Sequence, residues 1–148
     1  MIFDITPEQI SQLSDSQLRI LIGQLAEAEL NASGLPVSGV TYGGHQDAKD
    51  GGIDVHVEYL DARKLDFVPR TPTAFQSKAS KMAEAAIKKE MCPDDVLRPA
   101  IVELGKVGGA YIIVSSADSV SNSALSKRRN AMAASVASVA SATGLHVD

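Results

Sequence analysis

The chain has 148 residues, a length that predicts one domain with a sizeable core. With 45% hydrophobic and 22% charged residues it has an ordinary globular composition, and a net charge of −4 excludes a global attraction to nucleic acid or to an anionic membrane. The single cysteine, Cys92, excludes an intrachain disulfide, and the sequence has neither a signal-peptide pattern nor an apolar run of about 20 residues, so we expect a cytoplasmic protein.

The first third of the chain predicts helices and then strands. Capping-box patterns at Thr6 and Ser14 mark helix starts, and a helix over about 15–32 follows the second of them. Strands near 37–42 and 53–60 come next, separated by a glycine-rich loop. The apolar positions at helical spacing are Leu18, Leu21, Ile22 and Leu25.

The rest of the chain continues with a strand at 74–78, after a polar connection. Later elements are a helix from Ser80, a helix near Pro99, an apolar strand in "AYIIVSS", a helix over about 122–142 and a short strand in "LHVD". This order predicts an α/β fold with a mixed central sheet flanked by helices. Because a strand begins where the chain stops, we expect residues 1–148 to be one domain at the N-terminal end of a longer protein.

Two short segments place polar side chains where neighbouring strands are expected. Asp54 follows two glycines at the start of one strand, and alternation puts Gln76 and Lys78 on one face of another. If the strands pair, the Asp54 carboxylate and the Gln76 amide oxygen form a hard oxygen site suited to Mg²⁺ or Mn²⁺. A lysine beside such a site orients a water and offsets phosphate charge, so the three residues predict phosphodiester hydrolysis.

These segments also resemble a known family. Asp-Gly-Gly-Ile-Asp at 50–54, followed by Phe-Gln-Ser-Lys at 75–78, is similar to the PD-(D/E)xK nuclease superfamily in the Gln-x-Lys form of Mrr-type restriction endonucleases. The resemblance covers about residues 15–116 and implies a restriction-endonuclease-like α-β-β-β-α-β core, in agreement with the predicted order. The roles it implies are metal ligands at Asp54 and Gln76 and a catalytic lysine at Lys78.

The family often carries a glutamate on its first helix, which the resemblance implies as a further metal ligand and catalytic residue. Glu29 is our choice, because it follows Leu25 by four residues, Ile22 by seven and Leu18 by eleven and so shares the apolar stripe. Glu27 is the alternative on a more exposed face, and the choice between the two stays open.

Contacts to DNA are expected from local basic residues, because the overall charge is negative. About 21 residues separate Asp54 from Gln76, more than the short hairpin of many family members, so we infer an insertion in the connection 61–72. Side chains of this insertion and of the basic cluster at 126–130 are expected to touch phosphates. They are Arg63, Lys64, Arg70, Lys127, Arg128 and Arg129.

Together these features predict a Mg²⁺-dependent endodeoxyribonuclease, with Mn²⁺ as the alternative ion and double-stranded DNA as the favoured substrate. The resemblance implies a place in bacterial restriction or anti-phage defence. It also implies an effector module that acts as a homo-oligomer under the control of C-terminal regulatory domains.

Other interpretations stay open. The chain is a catalytically inactive nucleic-acid-binding module if the neutral amide of Gln76 binds metal too weakly, or an oligomerisation domain if the Ala-rich helix 122–142 is a self-association face. The basic cluster at 126–130 is alternatively a solvated helix face.

Cys92 precedes a proline and has no histidine placed as a partner, so we do not expect a nucleophile there. The residues of an alternative transition-metal site are His45, Asp47, Asp50, Asp54 and His56.

Overall fold

The computed structural model describes residues 4–42, 52–61 and 63–148. The helices of these ranges are α1 (Pro7–Ser11), α2 (Asp15–Ala32), α3 (Glu84–Met91), α4 (Pro99–Lys106) and α5 (Asn122–Ala137). The strands are β1 (Val40–Thr41), β2 (Val55–Val57), β3 (Thr73–Lys78), β4 (Ala110–Ser115) and β5 (His146–Val147). The strands form one sheet in the order β1-β2-β3-β4-β5, with helices packed on both faces. The predicted mixed α/β architecture is therefore confirmed.

The sheet changes from antiparallel to parallel at its centre. β1 and β2 are antiparallel, as are β2 and β3, where Val55 lies opposite Phe75. β3 is parallel to β4, and β4 to β5. Parallel neighbours need a crossover, which α3 and α4 provide between β3 and β4, and α5 between β4 and β5. β3 is the middle strand, and its residues from Thr73 to Ser77 are buried.

α2 covers one face of the sheet. It begins at Asp15 because Ser14 and Gln17 form a capping box, in which the Gln17 N–H donates to Ser14 Oγ (3.2 Å) and the Ser14 N–H to Gln17 Oε1 (3.0 Å). Its apolar stripe packs against β2 and β3. The predicted stripe is only partly right, since Leu25 is 47% exposed. The large or apolar residues that α2 buries are Leu18, Ile22, Ala26 and Leu30.

The other face is covered by α3, α4 and α5. Their apolar residues form a second core around Ala74 of β3 and Tyr111 of β4, both fully buried. The residues that these helices contribute include Ile87, Met91, Ile101, Leu104, Met132 and Val136. Across the described ranges, none of the helices has the length and apolar character needed to cross a membrane.

Most predicted elements are present, with changed ends. The helix predicted over 15–32 is α2, while β2 is shorter than the strand predicted at 53–60. α3 begins later than the predicted start at Ser80, and the Met82 N–H before it donates to Asp118 Oδ2 (2.6 Å) in the segment after β4. α5 is shorter than predicted and is followed by a separate 3₁₀ turn.

Gly105 gives a test of the packing between α4 and this last turn. A Cβ added at Gly105 would lie 2.5 Å from Ala142 Cα and 2.9 Å from Ala142 Cβ. Alanine normally stabilises a helix interior by about 1 kcal/mol relative to glycine. We expect the opposite sign for Gly105→Ala, a loss of about 1–3 kcal/mol from overpacking, measured by urea unfolding.

The neighbouring exposed residue provides the control for this prediction. Lys106→Ala lies on the same helix and is expected to change the unfolding free energy by less than about 0.5 kcal/mol. Unchanged or higher stability of the Gly105→Ala variant would show that α4 does not pack closely at this point.

Candidate functional site

A polar cleft of about 420 Å³ opens where the amino end of α2 meets the ends of β2 and β3. Three residues predicted from the sequence, Asp54, Gln76 and Lys78, line it together. The structure thus brings both halves of the predicted motif to one place. The remaining lining residues are Ser14, Asp15, Ser16, Arg19 and Ser77.

Asp54 is fixed on the central strand by its backbone and its side chain. Its N–H donates to the Phe75 carbonyl (2.9 Å), directly beside the β2–β3 pair in which Val55 lies opposite Phe75. One carboxylate oxygen, Oδ2, accepts hydrogen bonds from the Ser77 N–H and from Ser77 Oγ, both at 2.8 Å. Both of these bonds go to the same oxygen.

Gln76 lines the cleft and has a buried, unpaired side-chain oxygen. The residue is only 8% exposed, and its Oε1 has no hydrogen-bond partner within the described ranges. A buried acceptor without a partner costs about 1–3 kcal/mol, so such atoms usually mark a place where an ion, a water or a ligand binds. Gln76 is therefore the residue of the cleft that most clearly points to a ligand.

Lys78 lines the cleft, but its ammonium is bound by a residue of α3, the helix layer on the face of the sheet opposite α2. Its Nζ lies 2.8 Å from Glu90 Oε2 of α3, and both side chains are mostly buried. Arg98 reaches the same glutamate, with its Nη2 3.6 Å from Oε1 and its Nε donating to the Glu90 carbonyl (2.6 Å). Sequence patterns gave no signal for this contact, because α3 and α4 approach β3 only through the tertiary fold.

Asp15 and Arg19 are cleft residues that sequence reasoning missed. Asp15 is the first residue of α2, and its Oδ1 accepts a hydrogen bond from the Ala79 N–H (2.6 Å), which ties the helix start to the end of β3. The Nε of Arg19 is buried and has no partner among the described residues. The capping box at Ser14 located this helix start, but no local pattern places it beside Asp54.

Glu29 is placed elsewhere, which corrects the expectation that it shares a metal with Asp54. Its two carboxylate oxygens accept hydrogen bonds from the N–H groups of Phe67 and Val68, both at 2.7 Å. It stands 14 residues after Asp15 on the same helix, about 21 Å along the axis at 1.5 Å per residue. Glu27, the alternative, is also not among the residues that line the cleft, and its hydrogen bond with the Tyr42 phenol raises the pKa of that phenol.

The six basic residues predicted to contact DNA are not in the cleft lining, and four of them have internal partners. Arg63 binds Asp61 and the Ser33 carbonyl, and Arg70 donates to the carbonyls of Gly108 and Gly144. These arginines secure the connection between β2 and β3, and the prediction that they contact phosphates gains no support.

Two residues of the basic cluster on α5 also have partners within the protein. Arg128 pairs with Asp118 and the Ser119 carbonyl, and Arg129 pairs with Asp148, a hydrogen bond that raises the pKa of Arg129. Lys64 and Lys127 are exposed on the surface, so a phosphate contact remains a prediction for them.

The oxygen donors of the cleft fit a hard divalent cation. Within the described ranges no group of three His, Cys, Asp or Glu side chains is arranged to hold a metal ion. Asp54 with the Gln76 amide is instead a mixed carboxylate and amide set, the chemistry that Mg²⁺ and Mn²⁺ accept. The residues of the alternative transition-metal site that lie outside the described ranges are His45, Asp47 and Asp50.

Comparison with known proteins adds no relative: no family model, no curated protein and no solved structure matches the chain. The functional argument therefore depends on the residues of the cleft and their chemistry.

The placement of Glu29 predicts a structural role. Glu29→Gln removes one of the two acceptor oxygens and leaves a backbone N–H of Phe67 or Val68 without its partner, so we expect a loss of about 1–3 kcal/mol in the free energy of unfolding. Urea denaturation measures it, with the exposed residue Glu58 as control in the Glu58→Gln variant. Equal stability of the two variants would show that the Glu29 bonds contribute nothing.

Proposed function

We propose that this chain is a metal-dependent endonuclease domain that hydrolyses phosphodiester bonds of DNA. The observation that carries the proposal is the buried Gln76 oxygen, which has no partner among the described residues and belongs to a residue that lines one cleft with Asp54 and Lys78. A carboxylate and an amide oxygen can hold a divalent cation, and an ammonium can offset charge on a phosphate, so together they suit metal-assisted phosphodiester hydrolysis.

The architecture supports a restriction-endonuclease-like core of the PD-(D/E)xK type in its Gln-x-Lys form. α2, the three strands β1 to β3, the helices α3 and α4, and then β4 follow the order α-β-β-β-α-β of that core. The antiparallel-to-parallel change falls at β3, the strand that carries Gln76 and Lys78.

The proposed metal ligands are Asp54 and Gln76, and Asp15 takes the place on the first helix that Glu29 does not fill. Asp15 supplies a second carboxylate to the same cleft. A divalent cation would supply Lewis acidity toward the phosphate and a more acidic water. Mg²⁺ is the proposed ion, with Mn²⁺ as its substitute, because all the donors are oxygens.

The chain's own residues then have separate tasks. Ser77 orients the Asp54 carboxylate, and Lys78 holds the attacking water and offsets the negative charge that gathers on the phosphate. Arg19 offers guanidinium donors to a phosphate at the mouth of the cleft. The water oxygen forms a bond to phosphorus as the bond to the 3′-oxygen breaks; the water releases one proton and the 3′-oxygen gains one.

The biological setting is proposed from the family resemblance. It comprises double-stranded DNA as substrate, a cytoplasmic homo-oligomer, C-terminal regulatory domains on the full-length chain, and bacterial restriction or anti-phage defence. A net charge of −4 requires that DNA be met by a local basic surface, for which the exposed Lys64 and Lys127 are candidates.

A second candidate is a module that binds nucleic acid on the same fold without cutting it. Two observations favour it: Gln76 brings no charge to the proposed metal site, and the Lys78 ammonium already has a carboxylate partner in Glu90. A cleavage assay separates the candidates.

Substitution of Asp54 tests the proposed activity. Asp54→Asn keeps an acceptor oxygen for Ser77 but removes the negative charge, so we expect retained stability and a loss of plasmid cleavage in Mg²⁺ of at least about 100-fold. Lys78→Met is expected to lose a similar factor. The controls are Asp66→Asn and Lys106→Met, both at exposed positions outside the cleft. Equal cleavage by wild type and both cleft variants would place the activity elsewhere.

Substitution of Gln76 distinguishes catalysis from binding alone. Gln76→Glu supplies the carboxylate that most members of the resembled family carry, and we expect it to keep or raise Mg²⁺-dependent cleavage. Gln76→Leu fills the site without an oxygen donor and is expected to abolish cleavage while leaving DNA binding in a gel-shift assay unchanged. If the wild type binds DNA but no variant and no metal yields cleavage, the binding module is the correct function.

A further inference from the structure

A chain of contacts connects the two halves of the cleft through residues outside the sequence motif. Lys78 of β3 pairs with Glu90 of α3 at 2.8 Å, and Glu90 is bound in turn by Arg98, the residue before α4. Arg98 then packs against Gly52, two residues before Asp54. The contacts run from the Gln-x-Lys strand to the glycine turn that delivers the aspartate.

Gly52 lies close to Arg98 and has a backbone conformation that favours glycine. A Cβ at Gly52 would lie 3.0 Å from Arg98 Nε and 3.1 Å from Arg98 Cδ, and the φ of Gly52 is +81°, which side chains disfavour. The buried Tyr111 hydroxyl also lies 3.5 Å from the Gly52 carbonyl oxygen. The Asp54 end of the cleft is thereby supported by the side chain that binds Glu90.

We propose that Glu90 is a positioning residue for Lys78, and that Arg98 fixes both Glu90 and the Gly52 turn, so that Lys78 and Asp54 are held in one geometry. The inference rests on the proposed nuclease function and adds to it a part of the site that the motif does not contain. It predicts that Glu90 acts through Lys78 and does not touch the substrate.

The charges and burial of the network support positioning. The Lys78 and Glu90 side chains are 24% and 15% exposed, so water screens their attraction less than at a surface pair. An ammonium has three donors, so the bond to Glu90 leaves donors for the cleft. Since Lys78 and Arg98 share this one carboxylate, the network keeps a net positive charge beside a site that would receive phosphate.

Steady-state cleavage kinetics test this role, with Glu90→Gln compared with Glu90→Asp. Glu90→Gln removes the charge at constant shape and is expected to lower kcat by about 10- to 100-fold with little change in KM, because a misplaced catalytic group costs rate. Glu90→Asp keeps the charge and should recover part of that loss. Glu103→Gln is the matched control: it breaks a 2.7 Å pair with Lys106 on the exposed side of α4 and should leave kcat unchanged.

A second readout needs neither metal nor DNA. Acylation of lysines by an amine-reactive ester, quantified per residue by mass spectrometry on the folded proteins, should show a several-fold gain at Lys78 in Glu90→Gln and none at Lys78 in Glu103→Gln. If Lys78 labelling is the same in wild type and Glu90→Gln, Glu90 does not hold Lys78 and the inference fails. A kcat of Glu90→Gln equal to or above that of wild type also overturns it.

The two measurements separate this inference from the proposed function. If the wild type cleaves no DNA with any metal, the nuclease proposal fails, and the labelling result alone decides whether Glu90 holds Lys78. If the wild type cleaves DNA but Glu90→Gln matches it, only the positioning role is lost.

Discussion

The Asp54 carboxylate, which accepts two hydrogen bonds from Ser77, is the interaction on which the cleft depends. Both bonds are 2.8 Å long, and the Asp54 N–H adds a third tie to β3 through the Phe75 carbonyl. Without these bonds, the segment after Gly52 could place the Asp54 side chain on either face of the sheet. Because Ser77 lies between Gln76 and Lys78, the residue that separates these two cleft residues in the sequence is also the one that binds the aspartate.

Part of the cost of this arrangement lies at Gln76. An interior that satisfies nearly all its polar groups leaves this amide oxygen unpaired in the described part of the chain, at about 1–3 kcal/mol. Proteins keep such losses where a ligand recovers them. The strand around Gln76 offsets this free-energy cost, since Thr73 to Ser77 are buried between two cores and β3 pairs on both sides. Burial and pairing on both sides of β3 therefore hold Gln76 in place although its oxygen has no partner among the described residues.

Local patterns predicted what depends on local structure. Capping at Ser14 located α2, and strand alternation placed Gln76 and Lys78 together, since both follow from residues near in sequence. Glu29 was misplaced because the assumed stripe ran through Leu25, whereas the helix buries Ala26 and Leu30 instead and turns Glu29 toward Phe67 and Val68. Asp15, Glu90 and Arg98 could not be found this way, because each reaches the cleft from an element whose position only the tertiary fold determines.

The long connection between β2 and β3 is held in place by residues that lie outside the cleft lining. Glu29 binds its backbone at Phe67 and Val68, Arg70 binds two carbonyls near β4 and β5, and Thr71 Oγ1 both accepts from the Tyr59 N–H and donates to the Tyr59 carbonyl, each at 3.0 Å. A slip of one residue between paired strands would move every side chain to the opposite face. These contacts tie the connection to the rest of the fold and so help to hold the β2–β3 register, in which Val55 lies opposite Phe75.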